Sequence, residues 1–170
     1  HIPVHHTNEI AQSQAATGKK FANYWLHNNF MKINNQKISK SLNNGLTLLD
    51  LDNKGYSALD FKLLVLQSHY RSESNFTWEA LHAAQSRHKT YQAFADMRLQ
   101  ASEKVTKLAE DYFIAAGDKL VKLLSEDLST PQALSHIDKL VNELNSKSPT
   151  IHSADVGNLQ NFIKLVDDLL

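Results

Sequence analysis

Two lysines and two serines lie together at residues 37–41, whose sequence is Lys-Ile-Ser-Lys-Ser. Asparagine, glutamine and glycine flank this segment at 34–36 and 43–45, so no regular element is predicted there. A loop with two ammonium groups and two hydroxyls suits a polyphosphate, because it can stabilise the charge that develops when a nucleotide reacts. Lys40 is a better candidate for this contact than Lys37, since a serine on each side can anchor its backbone. The alternative is a solvated lysine loop, because short motifs often match by chance.

A second candidate site lies near the start of the sequence, where His5 and Glu9 are four positions apart on a predicted helix. This spacing puts both side chains on one helix face, where an imidazole nitrogen and a carboxylate oxygen could share a zinc ion. Two alternatives remain open. The histidines at positions 1, 5 and 6 also fit the remainder of an affinity tag or the capped start of a surface helix. Two ligands alone do not make a zinc site.

The composition of the chain restricts its class. Its 170 residues, 42% of them hydrophobic, are enough for one domain, or a domain with an appendage, around a sizeable core. The 18 basic and 18 acidic residues give no net charge, so any contact with nucleic acid depends on a local patch. The absence of cysteine excludes a disulfide framework and a thiolate-only metal site. No apolar run reaches the roughly 18 to 20 residues of a membrane helix, and no signal-peptide layout is present, so we predict a cytoplasmic protein without membrane contact.

The elements before the lysine loop must position both candidate sites. The apolar residues 1–4, with no initiator methionine, predict the end of a buried strand and suggest that the chain is part of a longer protein. A helix is predicted from His5 until Gly18 ends it. Residues 21–31 alternate as a strand that runs toward the loop. Trp25 in this strand is by default a core residue, and its nearness to the loop makes it a candidate for a pocket wall.

The elements after the loop are predicted to be helices. Thr47 and Ser57 offer capping boxes, and the helix from Ser57 to about Tyr70 is apolar nearly all round, which predicts a central buried helix. Apolar positions at helical spacing predict further helices over 78–94, 105–124, 134–144 and 156–166. Thr130 followed by Pro131 predicts a helix start. Together these residues predict an antiparallel helical bundle.

The order of these segments resembles cysteinyl-tRNA synthetase, a class I aminoacyl-tRNA synthetase, across essentially the whole chain. Residues 5–13, HHTNEIAQS, are similar to that family's HHENEIAQS segment, and residues 24–30, YWLHNNF, to its YWMHNGF strand. Residues 37–41, KISKS, resemble its KMSKS loop. Residues 63–79 resemble the helix that leads into its bundle, and residues 127–134, DLSTPQAL, its DDFNTPEAL segment. Each match alone is weak, but five in the same order are specific.

This resemblance implies a reaction. Such enzymes activate cysteine with ATP, used with magnesium, to a cysteinyl-adenylate and then transfer the cysteinyl group to the terminal ribose of tRNA. The resemblance implies that Lys37 and Lys40 bind ATP and that Lys40 stabilises the charge moving onto pyrophosphate. It implies that His5 and Glu9 are two of four ligands of a zinc that binds the substrate thiolate, which would reject serine without editing. It also places Trp25 at the cysteine pocket.

The resemblance also implies a domain organisation. It identifies residues 1–56 as the C-terminal edge of a nucleotide-binding α/β domain, and residues 57–170 as a helical bundle that contacts tRNA; the fold is then mainly α. Departures from the family include Thr7 in place of a glutamate, Ile38 in place of a methionine, and Lys62 in place of an arginine, whose fork geometry is lost.

Two larger parts of the family pattern are missing. The family's HIGH motif, which binds ATP, and the two cysteine ligands of its zinc have no counterpart in this sequence. The remaining part of the same synthetase is therefore an expected partner, and the isolated chain is expected to be inactive.

Two other functions are compatible with the same residues. One is the related ligase of mycothiol synthesis, which joins cysteine to an amino sugar and shares the zinc helix and the loop. The long bundle and residues 75–79, NFTWE, favour the tRNA enzyme. The other is a non-catalytic module that binds tRNA through the bundle, although the intact Lys37, Lys40, His5 and Glu9 argue against a decayed active site.

Overall fold

A computed structural model describes residues 2–39, 41–42 and 44–170, and this part of the chain is mainly helical, as predicted. Its α-helices are α1 Thr7–Thr17, α2 Leu48–Asp52, α3 Ala58–Leu66, α4 Trp78–Asp96, α5 Tyr112–Ser125, α6 Thr130–Lys147 and α7 Val156–Leu169. Its strands are β1 Met31–Ile33 and β2 Ser74–Phe76. Irregular helical turns cover Ile2–His6, Met97–Leu99 and Ser153–Asp155. None of the helices described is both long and apolar enough to cross a membrane.

The first residues differ from the prediction of a buried strand. Ile2–His6 forms a π-helical turn that leads into α1, and the side chain of Val4 is 68% exposed. A strand needs a neighbour for its backbone hydrogen bonds, and the only strand pairing in the described residues joins β1 to β2. The end of α1 is as predicted, because Gly18 adopts a left-handed conformation and its N–H bonds to the carbonyl of Gln14 at 2.8 Å.

The strand predicted over 21–31 is mostly absent. Only Met31–Ile33 pairs, in parallel with Ser74–Phe76, and the chain before it has no regular structure. The alternating pattern overestimated the strand because a ladder extends only as far as its partner, and β2 has three residues. Such a short strand carries too few residues to show alternation, so β2 was not predicted.

The predicted helix starts at Thr47 and Ser57 are confirmed. In each case the hydroxyl accepts a hydrogen bond from the backbone N–H three residues later, on Asp50 and on Asp60, and the aspartate carboxylate bonds back to the N–H of the cap. These two boxes fix where α2 and α3 begin, and thus where the chain leaves the lysine loop.

The prediction that α3 is buried all round is wrong. Leu64 is buried, but Leu59 is 56% exposed and Val65 is 41% exposed. Helix α3 packs mainly against α4, so the other side of its apolar surface remains uncovered in the described chain. The composition of the helix showed that it is apolar, but not how many neighbours it has.

Two apolar clusters stabilise the fold. The smaller one, here called the sheet cluster, consists of Ile33, Leu51, Leu64, Phe76, Leu81 and Ala84. The larger one, here called the helical cluster, consists of Phe94, Met97, Phe113, Ala116, Leu120, Ala133, Ile137, Leu140, Val141, Leu144, Ile151, Leu159 and Phe162. Helix α4 contributes to both clusters, with its first half in the sheet cluster and its end in the helical cluster. The side chains of a single helix therefore join the two parts of the core.

The helix predicted over 105–124 begins later than expected. Residues 103–111 are irregular and α5 starts only at Tyr112. The backbone of the irregular segment has tertiary partners instead of helical ones: the N–H of Leu108 bonds to Asp155 Oδ2 at 2.9 Å, and the N–H of Ser102 bonds to the carbonyl of Ile151. The spacing of apolar residues does not show whether the backbone N–H groups of a segment bond within a helix or to other segments.

The start of α6 is shifted by one residue, because its N-cap is Ser129 and not Thr130. Burial differs among the apolar residues of the predicted helices. Phe113, Ile137 and Leu140 are buried, whereas Leu63, Leu66, Trp78 and Leu108 are only partly buried.

Candidate functional site

The π-helical turn and the first turn of α1 place His5, His6 and Glu9 together. Their candidate ligand atoms all lie within 4.8 Å of one another, and Nε2 of His5 is 3.3 Å from Oε1 of Glu9. Nitrogen and oxygen ligands about 2.0 to 2.2 Å from a tetrahedral zinc lie roughly 3.3 Å apart. His5 and Glu9 therefore fit two neighbouring positions around a zinc ion, and a complete shell needs further ligands.

An aromatic group lies directly beside this pair. Nδ1 of His6 is 2.8 Å from Nε2 of His27, so one of these nitrogens donates to the other. The ring of Trp25 stacks on both imidazoles, with centroid distances of 5.4 Å to His6 and 6.1 Å to His27. Trp25, a candidate from the sequence, is thus brought next to the helix that carries His5 and Glu9.

His6 and His27 were not identified as site residues from the sequence. The alternation over 21–31 did put Trp25 and His27 on the same side of the chain, and this is the one signal that pointed to them. It could not show that this side faces His6, because the two histidines are 21 residues apart and no regular element connects Gly18 to Met31.

The chain that leaves His27 leads to the lysine loop. Asn28, Asn29, Phe30 and Met31 line an open cleft of about 520 Å³, and Lys37 lines the same cleft from the loop.

Lys32, in the same cleft, is neutralised by Glu73, with 2.7 Å between Nζ and Oε1. Lys37 is exposed, and no ion pair is formed by it within the described chain. Lys40, the other predicted phosphate contact, lies outside the described residues.

The described part of the loop is held by its own side chains. The amide of Asn44 bonds to the backbone of Lys37 and Ser39, and the hydroxyls of Ser39 and Ser41 are 3.1 Å apart. The predicted solvent exposure of the loop is observed at Lys37 and Ile38, but the loop is internally bonded.

Comparisons with known proteins agree with this arrangement. The family model described as tRNA synthetases class I (C) catalytic domain matches residues 2–86, which include α1, the segment around Trp25 and the lysine loop.

Among curated proteins, the chain is similar to three proteins named cysteine–tRNA ligase. It is 41% identical over 161 residues to the one from Treponema denticola, an alignment that covers 84% of this chain and 33% of the relative. It is 40% identical over 149 residues to that of Aquifex aeolicus, covering 83% and 30%. It is 34% identical over 173 residues to that of Protochlamydia amoebophila, covering 98% and 35%.

The chain thus spans about a third of the length of these relatives. The family match covers half of the chain and contains both the histidine and glutamate pair and the loop. The chain therefore belongs to the family of class I (C) tRNA synthetase catalytic domains.

Proposed function

We propose that this chain forms part of a protein that ligates cysteine to its cognate tRNA with ATP, through a cysteinyl-adenylate. The observation that carries the proposal is the separation of 3.3 Å between His5 Nε2 and Glu9 Oε1, which suits two ligands of one zinc ion. A zinc ion held there would bind a thiolate, a ligand that serine lacks. The relatives named cysteine–tRNA ligase support the same substrate.

The other residues of the site have separate proposed roles. Trp25 lines the cysteine pocket, and its stacking on His6 and His27 fixes the position of its ring. Lys37 and Lys40 bind the phosphates of ATP, with magnesium, and Lys40 stabilises the charge that moves onto pyrophosphate. The exposed position of Lys37 in the cleft that begins next to His27 supports this role.

The domain organisation follows from the same proposal. Residues 1–56 form the end of the catalytic domain, and residues 57–170 form an antiparallel helical bundle that packs against tRNA. The helical cluster, to which helices α4 to α7 contribute, supports the bundle. The cytoplasm, the compartment predicted from the sequence, is the proposed place of this reaction.

The test uses the full-length protein that contains this chain. Cysteine-dependent exchange of pyrophosphate into ATP measures the adenylate, and charging of tRNA measures the transfer; serine in place of cysteine is the control and should support neither. Ligation of cysteine to an amino sugar instead of tRNA would identify the mycothiol ligase. Binding of tRNA without any exchange would identify a non-catalytic module. Either result would overturn the proposal.

A further inference from the structure

The side chain of Asn44 crosses the lysine loop and bonds to two points of its backbone. Nδ2 donates to the carbonyl of Lys37 at 3.1 Å, and Oδ1 accepts from the N–H of Ser39 at 3.0 Å. The two bonds lie on either side of Ile38. One amide group therefore fixes the first half of the loop.

A second set of contacts continues from the same point. Oγ of Ser39 is 3.1 Å from Oγ of Ser41 and accepts from the N–H of Leu42 at 3.3 Å. Ile38 lines an apolar cavity of about 260 Å³ below the loop, together with Met31, Ile33, Leu46, Leu51 and Phe76. The residues before and after position 40 are thus held by side chains, and the Asn44 amide is the contact that spans the longest part of the loop.

Asparagine suits this position because of its hydrogen-bonding groups. A carboxamide can donate and accept at the same time, whereas a carboxylate only accepts and an alanine does neither. The backbone of the loop needs both functions, because the carbonyl of Lys37 requires a donor and the N–H of Ser39 requires an acceptor.

We propose that Asn44 is a positioning residue that holds the backbone at residues 37–39 and so fixes Lys37, a proposed phosphate contact, for the phosphates of the nucleotide. This inference rests on the proposed function, since it assigns the loop to ATP. Asn44 itself does not touch the reacting atoms. Its two hydrogen bonds raise the fraction of molecules in which the loop has the conformation described here.

Limited proteolysis of the purified 170-residue chain measures this fraction directly. Trypsin cleaves after Lys37 only when the loop opens, and the rate of appearance of the peptide that ends at Lys37 follows the open population. Asn44→Ala removes both bonds and should accelerate this cleavage about 5- to 100-fold. Asn44→Asp keeps the acceptor for Ser39 and loses the donor, so its rate should lie between those of the parent chain and the alanine variant.

The matched control is Gln36→Ala, which also removes an exposed amide next to Lys37. The Gln36 side chain makes no hydrogen bond to any other described residue, so this change should leave the cleavage rate within about twofold. An Asn44→Ala variant that is cleaved as slowly as the control would overturn the inference.

Catalysis of the full-length protein tests the consequence for the reaction. Asn44→Ala should lower the turnover of cysteine-dependent pyrophosphate exchange about tenfold or more and leave the Michaelis constant for cysteine unchanged, because the groups proposed to bind cysteine are His5, Glu9 and Trp25, outside the loop. Asn44→Asp should recover part of the loss. If the parent protein is active and the Asn44→Ala variant is equally active, the role of Asn44 is contradicted but the proposed function is not. A parent protein without exchange contradicts the proposed function, and the inference with it.

Discussion

Glu9 is a carboxylate on a helix edge that also carries two imidazoles. Its Oε1 approaches His5 Nε2 at 3.3 Å, and His6 on the same turn is tied to His27. Since the ring of Trp25 covers His6 and His27, the position of these donors depends on packing as well as on the helix. At the scale of single residues, the candidate site therefore consists of an imidazole and a carboxylate, two side-chain types that can bind metal ions, next to the packed ring of Trp25.

Replacing Glu9 tests this pair. In the full-length protein, Glu9→Gln exchanges the proposed charged oxygen ligand for a neutral one, so zinc should bind more weakly and the Michaelis constant for cysteine should rise at least about tenfold. Zinc content by elemental analysis and steady-state pyrophosphate exchange are the measurements. The control is Glu110→Gln on an exposed glutamate outside the site. Unchanged zinc content together with an unchanged constant for cysteine would show that Glu9 is an ordinary surface carboxylate.

Replacing Lys40 should have the opposite kinetic effect. Lys40→Ala removes the charge proposed to stabilise the leaving pyrophosphate, so turnover should fall about 10²- to 10³-fold while the Michaelis constant for cysteine changes little. Lys37→Ala should have a smaller effect, and Lys20→Ala, on an exposed lysine outside the loop, should have none. Turnover of Lys40→Ala within about threefold of the parent value would mean that the loop is a solvated surface feature.

Residues of this site differ in how far the sequence could reveal them. His5 and Glu9 were predictable as neighbours because both lie in the first turns of one helical segment, where spacing fixes geometry. The contact of His6 with His27 depends on the path of twelve residues without regular structure, which no local pattern describes. Asn44 is one of five amides near the loop, and its two bonds distinguish it only in three dimensions.

At the scale of elements, α5 contributes Phe113, Ala116 and Leu120 to the helical cluster. It packs against both α6 and α7. Its Gly117 allows a close approach to α7, because a Cβ atom there would lie 2.9 Å from Cδ2 of Leu165. Leu120, one turn further, has no exposed surface and lies at the centre of this packing.

Truncation of Leu120 tests the packing of α5. Leu120→Ala should reduce the free energy of unfolding of the purified chain by about 2 to 5 kcal/mol, because it removes a fully buried side chain and leaves a cavity. Val121→Ala, on the neighbouring position that is 43% exposed, is the control and should cost less than about 1 kcal/mol. Both values come from denaturant melts. Equal small losses in the two variants would mean that α5 does not pack as described.

Helix boundaries were predictable from the sequence where hydrogen bonds within a few residues of chain determine them. The starts of α2 and α3 and the end of α1 rest on caps within a few residues of chain, and these were correct. The exposure of α3, the late start of α5 and the pairing of β2 depend on what each segment meets elsewhere in the fold. The amino-acid composition and the apolar periodicity of a segment do not show which other segment it packs against.

At the scale of the whole molecule, two polar contacts connect segments that are far apart in the sequence. Between α4 and α6, Arg87 pairs with Asp138, with 3.0 Å between Nε and Oδ1, and Tyr91 donates to the same carboxylate at 2.7 Å. Burial and this hydrogen bond raise the pKa of Tyr91. Because this contact lies beside the helical cluster, it fixes the register of α4 against α6 where α4 passes from one cluster to the other.

The second contact joins the segment after α3 to the connection between α5 and α6. The carboxylate of Asp127 accepts from the hydroxyl of Tyr70 at 2.6 Å and from Nη2 of Arg71 at 3.0 Å, and its carbonyl lies 2.8 Å from Nε2 of His69. Asp127 has a φ of 58°, in the left-handed region. Its carboxylate bonds bring together two segments of the chain that are more than fifty residues apart.

The pH dependence of stability tests the Asp127 contact. The hydrogen bond from Tyr70, followed by the one from Arg71, lowers the pKa of Asp127. A carboxylate with a lowered pKa contributes stability above its unfolded value of about 3.9, and this contribution is lost as the pH falls through the folded value. Asp127→Asn should therefore destabilise the purified chain at pH 7, and the difference from the parent chain should shrink as the pH falls through the folded pKa of Asp127, where the parent carboxyl also takes up a proton.

The control for this titration is Asp118→Asn. Asp118 is exposed and has no hydrogen bond or ion pair to the residues that the structure describes, so its replacement should give only a small difference at pH 7. Other carboxyl groups titrate equally in parent and variant, and their effects cancel in the difference. Should Asp127→Asn give the same difference at pH 7 and at low pH, the charge of Asp127 does not hold the two segments together.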